Sequence, residues 1–312
     1  SLTPQSSCDS SRSSPMNNVL TCNVSENYDA CCNVTDASSV SNISIMSGEA
    51  NADFIDLFKS FRQINSKNLI IAMLNVNSIS SKLYQLEPLL IENMIDIFLV
   101  CETKIDSSYP DAQFRIDEYR LYRRDRSSCA GGVMFYIRSD IPHKKRKDLD
   151  YISDDRYLQT LVIEMTIKRE KWFIVGGYKS PSTPNNYFSK QFDVLCECLL
   201  KESSNIIIMG DLNFDTNKSN NVLSNLCNAF NLTNCVKGPT CFKGKEPSCI
   251  DVILTCNAKR IKDTINSPCG VSDFHNIVGV ATKLHFQKLP PKKIFYRSYK
   301  HFDKEKFETD VS

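Results

Sequence analysis

The hydrophobic residues of this chain occur in short runs, and most runs are followed by polar side chains. The central run is Ile206-Ile207-Ile208-Met209-Gly210, which leads into Asp211-Leu212-Asn213. Consecutive apolar residues of this length indicate a strand that is buried on both faces. If the segment stays extended, Asp211 and Asn213 share one side and Leu212 turns back into the core. A simple turn after the strand is the alternative, because Gly, Asp and Asn all favour turns.

The same arrangement recurs along the chain, with helical spacing between several of the runs. Apolar runs at residues 69–74, 95–100 and 172–177 each precede a polar residue, and helices are predicted at 188–200 and 222–230. Residues 82–93 also have helix-forming composition, although Pro88 argues for a break or a helix start there. In a layered α/β fold such strand ends converge on one edge. The polar residues expected to meet there are Asn75, Glu102, Tyr178, Asp211, Asn213, Asp251, Asp273 and His275.

The two ends of the chain differ from this middle part. Residues 1–50 are rich in Ser and Asn and show no sustained period, so we expect a disordered leader. Residues 51–67 are predicted to form a short helix and a linker, and residues 68–285 the main domain. Residues 286–312 are basic and interrupted by proline, which is typical of a linker leaving a domain.

Composition and charge allow a globular protein and leave its partner open. The chain has 312 residues, of which 41% are hydrophobic, and this is enough for a substantial core. Its net charge of +2 means that any affinity for nucleic acid must come from the distribution of charge. The basic cluster at residues 143–147 is interpreted as a solvated face, with a phosphate-contacting patch or a nuclear address as alternatives. No apolar run approaches the ~18 residues of a membrane span, so no membrane association is expected.

The cysteines indicate a reducing environment. There are 14 of them, and they are scattered without the paired Cys-x-x-Cys spacing of a zinc site. We therefore expect mostly reduced thiols in an intracellular protein that is not secreted. A secreted, disulfide-bonded protein is the counter-interpretation, and it draws support from glycosylation sequons at Asn23, Asn33, Asn42, Asn217 and Asn231.

The candidate site residues favour a hard divalent cation. Three or four carboxylates in one cleft repel one another unless a cation lies among them. Because the candidate ligands are oxygens, without cysteine or paired histidines, they point to Mg²⁺, or Mn²⁺, over zinc. A divalent metal with one histidine and amide donors suits chemistry on phosphate esters.

The ordered motifs resemble those of the endonuclease/exonuclease/phosphatase superfamily. They are closest to the apurinic-like endonuclease domains of non-LTR (LINE, jockey or CR1-like) retrotransposons. The resemblance covers about residues 68–285, and residues 295–300 are similar to the lead-in to a reverse transcriptase. The motifs are Asn75-Val76-Asn77-Ser78, Cys101-Glu102-Thr103-Lys104, Tyr178, Gly210-Asp211-Leu212-Asn213, Ser248-Cys249-Ile250-Asp251 and Ser272-Asp273-Phe274-His275.

This resemblance implies an α/β (α+β) four-layer sandwich of the DNase I-like type, with two mixed β-sheets face to face and helices outside. It also implies metal-dependent nicking of target DNA, leaving a 3′ hydroxyl that primes reverse transcription. The expected partners are DNA and, through downstream domains, the RNA of the element. A monomer in the nucleus and cytoplasm is expected.

The resemblance also assigns roles to individual positions. Glu102 resembles the principal metal ligand, Asn77 stands where relatives often have a ligating Asp, and Asn75 helps to hold the site. Asp273 would join the metal shell. The remaining positions resemble the groups that act on the phosphate: Tyr178 and Asn213 bind it, Asp211 orients and deprotonates the attacking water, and Asp251 supports His275, which pairs with the phosphate.

Two departures keep other functions open. Phe274 separates Asp273 from His275, where the family usually has the pair adjacent, and Asn77 replaces an acid. If the segment is extended, Asp273 and His275 share a face and Phe274 points into the core. The alternatives are a phosphodiesterase or phosphatase acting on another phosphoester, such as an inositol phosphate, a sphingolipid or an RNA end, and an inactive domain that only binds nucleic acid or a protein.

Overall fold

The computed structural model describes residues 54–219, 221–285 and 307–309. The expected leader at 1–50 lies outside these residues, as does nearly all of the linker expected at 286–312. The α-helices of the described part are α1 (Phe54–Ile64), α2 (Leu83–Ile91), α3 (Asn185–Leu200) and α4 (Val222–Ala229). The strands are β1 (Asn68–Asn75), β2 (Ile97–Cys101), β3 (Tyr119–Arg124), β4 (Val133–Arg138), β5 (His143–Lys145), β6 (Leu158–Ile167), β7 (Glu170–Lys179), β8 (Ile206–Asp211), β9 (Thr233–Asn234), β10 (Asp251–Thr255), β11 (Ile261–Ser267) and β12 (Ile277–His285).

The strands form two mixed sheets. The first has the order β11-β12-β1-β2-β4-β3, and the second has the order β5-β6-β7-β8-β10-β9. Each sheet contains one parallel pair, β1 with β2 and β7 with β8, among antiparallel neighbours. The long apolar runs that predicted buried strands are these central strands. Every residue of β1, β2 and β8 is buried, because both faces of each sheet are covered.

Three hydrophobic clusters divide the domain into four layers. The inner cluster lies between the sheets and joins Leu99 of the first sheet to Trp172 of the second. On the outer face of the first sheet, Phe58 of α1 and Leu89 of α2 form a second cluster. On the outer face of the second sheet, Phe192 of α3 contributes to a third. The predicted four-layer sandwich with helices outside is therefore confirmed.

Strand register brings the polar strand ends together. The parallel pairing of β1 with β2 sets Asn75 beside Cys101, and that of β7 with β8 sets Tyr178 beside Asp211. Strand β10 is antiparallel to β8 and begins where β8 ends, so Asp251 lies opposite Asp211. Strands from distant parts of the sequence thus present their polar ends at one edge of the sandwich.

The structure differs from two local predictions because of side-chain packing. Helix α2 runs through Pro88, where the sequence predicted a break. Its residues Leu86, Leu89 and Leu90 are buried against the first sheet, and this packing compensates for the hydrogen bond that proline cannot make. Helix α1 does more than lead into the domain, because its Phe58 is fully buried in the outer cluster.

The basic cluster and the cysteines are both accounted for by the fold. Residues 143–145 form β5, and Lys144, Lys145 and Arg146 pair with acidic residues, including Glu164 and Asp150. This neutralisation leaves less charge for a phosphate-contacting patch. The ten cysteines of the described part are free thiols in this structure. None of the described helices is long and apolar enough to cross a lipid bilayer.

A buried carboxylate ties α1 to the first sheet. Asp96 is 1% exposed and accepts the backbone N–H of Ile70 at 2.7 Å. Its carboxylate also pairs with Arg62 of α1 at 2.7 Å and with Arg138 at the end of β4. Removing one partner of a buried ion network leaves the other charges without full compensation.

We expect Asp96→Ala to lower the free energy of unfolding by about 3–5 kcal/mol, the usual cost of breaking a buried ion pair. Urea denaturation followed by circular dichroism measures it. Glu92→Ala is the control, since its pair with Lys59 at 3.4 Å is solvent-exposed and should contribute less than about 1 kcal/mol. Equal losses in the two variants would contradict this account.

Candidate active site

Asn75 joins carboxylates that belong to different sheets. It is the last residue of β1 and is 1% exposed. Its Nδ2 donates to Glu102 Oε1 at 2.9 Å and to Asp211 Oδ2 at 2.8 Å. Its Oδ1 accepts the backbone N–H of Asn77 at 3.1 Å. The amide is fully used in holding two acids in place, so Asn75 acts as a donor to the carboxylates and its oxygen is turned to the backbone.

Three polar residues of the site have left-handed backbone conformations. Asn77, Glu102 and Asn213 have φ values of 49°, 52° and 52°. Non-glycine residues adopt this region at a cost on the order of 1 kcal/mol each, and such strain concentrates at functional sites. Of the two conformations that the sequence left open after Asp211, the structure has the turn, because β8 ends at Asp211 and Asn213 is left-handed. Leu212 is nonetheless buried, as expected.

Asn213 closes this turn with two hydrogen bonds. Its backbone N–H donates to Asp211 Oδ1 at 3.0 Å, and its Nδ2 donates to the carbonyl of Lys179 at 2.7 Å. Gly210 precedes the turn, and a Cβ there would lie 1.8 Å from the carbonyl oxygen of Gly177. The absence of a side chain at Gly210 thus lets β8 deliver Asp211 close to β7.

His275 is held by a chain of polar groups behind it. Its Nδ1 donates to Asp251 Oδ2 at 2.9 Å. The same oxygen accepts the hydroxyl of Thr240 at 2.7 Å, and Thr240 Oγ1 in turn accepts the N–H of Asp251 at 3.1 Å. The other ring nitrogen of His275, Nε2, lies 3.6 Å from Cys241 Sγ. Ligand atoms of Asp211, Asp251 and His275 all lie within 4.8 Å of one another.

This crowding shifts the protonation of the site. Burial and the charge of Asp251 raise the pKa of Asp211, against the opposing effects of His275, Asn75 and Asn213. Burial by itself would lower the pKa of His275, but hydrogen bonds to Asp251 and Cys241 and the nearby carboxylate charges raise it above its usual value. Burial and the charge of Glu102 raise the pKa of Tyr178, which keeps its hydroxyl protonated. The arrangement therefore favours a cationic imidazole beside a carboxylate that readily takes up a proton.

Oxygens of Glu102 and Asn77 converge on one cationic position. Lys104 Nζ lies 3.4 Å from Glu102 Oε2 and donates a short hydrogen bond to Asn77 Oδ1. Two oxygen ligands that already meet at an ammonium group fit the hard-oxygen chemistry of a divalent cation. A metal bound there would compete with Lys104 for the same oxygens.

The remaining expected site residues take different positions. Tyr178 lies beside Asp211 on the neighbouring strand, and its ring is part of the inner core. Asp273 is exposed at the rim, and its carboxylate lies 3.8 Å from Lys82 Nζ. Phe274 is 40% exposed, so the expectation that it points into the core is wrong. The chain bends at residues 272–274, and only His275 enters an extended bridge, with Cys241.

Sequence reasoning missed three residues of this site. Thr240 and Cys241 were not among the expected site residues, although they contact Asp251 and His275 respectively. Lys104 belongs to a recognised motif but was given no role. Thr240 and Cys241 do not directly follow a long apolar run, so the pattern used to find the other residues does not indicate them. Only the antiparallel pairing of residues 240–241 with the segment around His275 brings these side chains into the site.

We expect millimolar Mg²⁺ or Mn²⁺ to raise the thermal unfolding midpoint of the protein, because a ligand that binds only the folded state stabilises it. Glu102→Gln should lose most of this shift, since the substitution removes the charge that the cation would neutralise. Differential scanning fluorimetry with and without the metal measures both.

Asp148→Asn is the matched control, because Asp148 is an exposed acid that pairs with Arg146 at 2.6 Å. It should retain the full metal-dependent shift. An equal shift in wild type and Glu102→Gln would place the cation elsewhere.

Comparisons with known proteins show the family of this chain and agree with its fold. The family model for the endonuclease/exonuclease/phosphatase family matches residues 74–273. A search of curated protein sequences finds no significant match. Among solved structures, the endonuclease domain of TRAS1, a telomere-specific non-LTR retrotransposon, superposes with a TM-score of 0.57 at 15% identity, covering 70% of this chain and 99% of that chain.

Two further solved structures share the fold. A 3′-5′ exonuclease from Neisseria meningitidis gives a TM-score of 0.53 at 18% identity, covering 69% of this chain and 99% of that chain. The apurinic endonuclease of Leishmania major gives 0.56 at 11% identity, covering 70% and 88% respectively. At these identities the likeness concerns the fold, while the family model covers most of the chain. The chain belongs to the endonuclease/exonuclease/phosphatase family.

Proposed function

We propose that this protein is a metal-dependent DNA endonuclease of a non-LTR retrotransposon, which nicks one strand of its target and leaves a 3′ hydroxyl. The observation that supports the proposal best is the cluster of Asp211, Asp251 and His275 within 4.8 Å of one another. Asn75 couples this cluster to Glu102. A base, a cationic imidazole and a candidate cation site thus share one edge of the sandwich.

Asp211 is the group that takes the proton from water. Its pKa is raised by burial and by Asp251, which makes it a better proton acceptor than an exposed carboxylate. The water oxygen forms a bond to phosphorus while the bond from phosphorus to the 3′ oxygen breaks. The proton goes to Asp211, and the departing oxygen takes a proton from solvent water to become the 3′ hydroxyl. The other product is a 5′ phosphate.

The phosphate is held by the groups around Asp211. His275, made cationic by Asp251, pairs with a phosphoryl oxygen, and Tyr178 donates its hydroxyl from the neighbouring strand. Asn213 is fixed by Asp211 and Lys179 so that its amide oxygen and backbone stay in one orientation. A divalent cation at Glu102 and Asn77 would supply charge neutralisation to the leaving oxygen. Asp273 lies at the rim of the site, where its carboxylate is a candidate ligand at the outer side of the cation.

The assignment to a mobile element rests on the ordered motif series of the sequence. The fold likeness to a retrotransposon endonuclease domain is compatible with it. The related Neisseria fold is described both as a 3′-5′ exonuclease and as a 3′ phosphatase bound to product DNA hairpin. Action at DNA ends is therefore the competing activity. The proposal further places the protein in the nucleus and cytoplasm, with DNA and the element's RNA as partners.

We expect the purified protein with Mg²⁺ to convert supercoiled plasmid to the open circular form, and EDTA to stop the reaction. Asp211→Asn should reduce the rate about 10²–10⁴-fold, the usual contribution of a general base. Glu102→Gln should have a comparable effect through loss of the cation site. Gel electrophoresis of a time course measures the rates.

The matched control is Asp215→Asn, an acid on the same loop whose Oδ1 accepts the N–H of Cys249 at 3.0 Å, and it should keep the activity within about threefold. Extension of the nick by a DNA polymerase checks the 3′ hydroxyl. A protein that shortens linear DNA from its ends and leaves supercoiled plasmid intact would show that the exonuclease alternative is correct.

A further inference from the structure

Two exposed aromatic side chains lie at the edge of the site. Phe242 is 46% exposed and Phe274 is 40% exposed, although most aromatic residues of the described part are buried. The backbone N–H of Phe242 donates to the carbonyl of Phe274 at 2.8 Å. Phe242 directly follows Cys241, and Phe274 directly precedes His275. Cys241 and His275 form an antiparallel bridge. The aromatic pair is therefore attached to the same short two-stranded ribbon that carries the histidine.

Both rings of this ribbon face solvent. Phe242 and Phe274 are exposed, whereas Cys241 is buried and its Sγ lies 3.6 Å from His275 Nε2. The backbone pairing with Cys241 therefore directs His275 toward the site, and the two phenylalanines lie on the exposed side. We call these two exposed residues, joined by their backbone hydrogen bond, the aromatic ledge. The bend at residues 272–274 turns Phe274 outward.

Positive charge accompanies the aromatic ledge. Lys243 Nζ lies 5.9 Å from the centre of the Phe274 ring, and Lys243 and Lys245 are both exposed on the connecting turn. An aromatic surface beside ammonium groups matches a nucleotide, because the ring stacks on a base while lysine attracts the phosphate. A duplex base has both faces covered by its neighbours, so only a base that has left the stack can present a face to phenylalanine.

We propose that the aromatic ledge of Phe242 and Phe274 stacks on an unstacked base flanking the scissile phosphate, so that the enzyme favours DNA that is unpaired or kinked beside the cut. The inference rests on the proposed function, since it takes DNA as the substrate. It adds a specificity element outside the residues that act on the phosphate. The proposal also assigns a role, base stacking, to Phe274, which interrupts the family motif.

The test compares two duplexes of one sequence, identical except that the second contains a single unpaired adenine. We expect wild-type protein to nick the bulged duplex about tenfold faster, within the range that one stacked aromatic contributes to binding. Phe242→Ala combined with Phe274→Ala should bring the two rates within twofold of each other, mainly by slowing the bulged duplex. Phe274→Trp, which keeps a stacking surface, should preserve the preference.

The matched control is Ile91→Ala. Ile91 is a 63% exposed apolar residue at the end of α2, where the chain has returned to the edge of the first sheet opposite the site. It should keep the tenfold ratio. Thermal midpoints of all variants verify folding, and because Phe242 and Phe274 are exposed, their removal should shift the midpoint by no more than a few degrees.

A binding arm separates this inference from the proposed function. The unpaired base is replaced by 2-aminopurine, and its fluorescence is titrated with protein in EDTA, where no cleavage is expected. Quenching by wild type that is lost in the double variant supports the aromatic ledge even if neither duplex is nicked, in which case the proposed endonuclease activity alone fails. A preference or quenching that survives in the double variant overturns the ledge, as does wild-type protein that shows neither.

Discussion

The site depends on one amide that lies between two carboxylates. Glu102 directly follows strand β2 of the first sheet and Asp211 is the last residue of β8 in the second, and the packing of the sheets brings both to the same edge. Like charges at this separation repel in a poorly solvated cleft. The Nδ2 group of Asn75 donates one hydrogen to each carboxylate, so it lowers this repulsion and sets the distance between them. These two hydrogen bonds thereby fix the position of one sheet relative to the other at the site.

The rigidity needed to hold these groups comes from the strands behind them. Left-handed conformations at Asn77, Glu102 and Asn213 are unfavourable for the local backbone and persist because fully buried strands fix the residues before them. Asp251 is fixed in the same way, since it begins a buried strand and pairs in register with Asp211. The inner core therefore determines the geometry of the site as well as the stability of the domain.

The ribbon formed by Cys241 and His275 carries both the histidine of the site and the two exposed phenylalanines. The imidazole faces Asp251, whereas Phe242 and Phe274 face solvent. A base stacked on Phe242 and Phe274 would contact side chains of the same short backbone segments that hold His275. On the first sheet, the ammonium group of Lys104 pairs with the Glu102 carboxylate and donates a hydrogen bond to the amide oxygen of Asn77. Both features use short segments that follow or precede core strands.

The sequence by itself determined the strands, the layered fold and the polar residues at the strand ends. Apolar runs such as residues 206–209 are long enough to identify buried strands, and the ordered motifs fix which strand ends share an edge. Only the tertiary structure decided the direction of the side chains beyond those ends. In the structure Asn213 is left-handed and Phe274 is exposed. Asp273 lies at the rim near Lys82, and Thr240 donates a hydrogen bond to Asp251. Hydrophobic periodicity reports burial within regular elements, whereas the conformation of turns depends on hydrogen bonds and close approaches between segments that are distant in the chain.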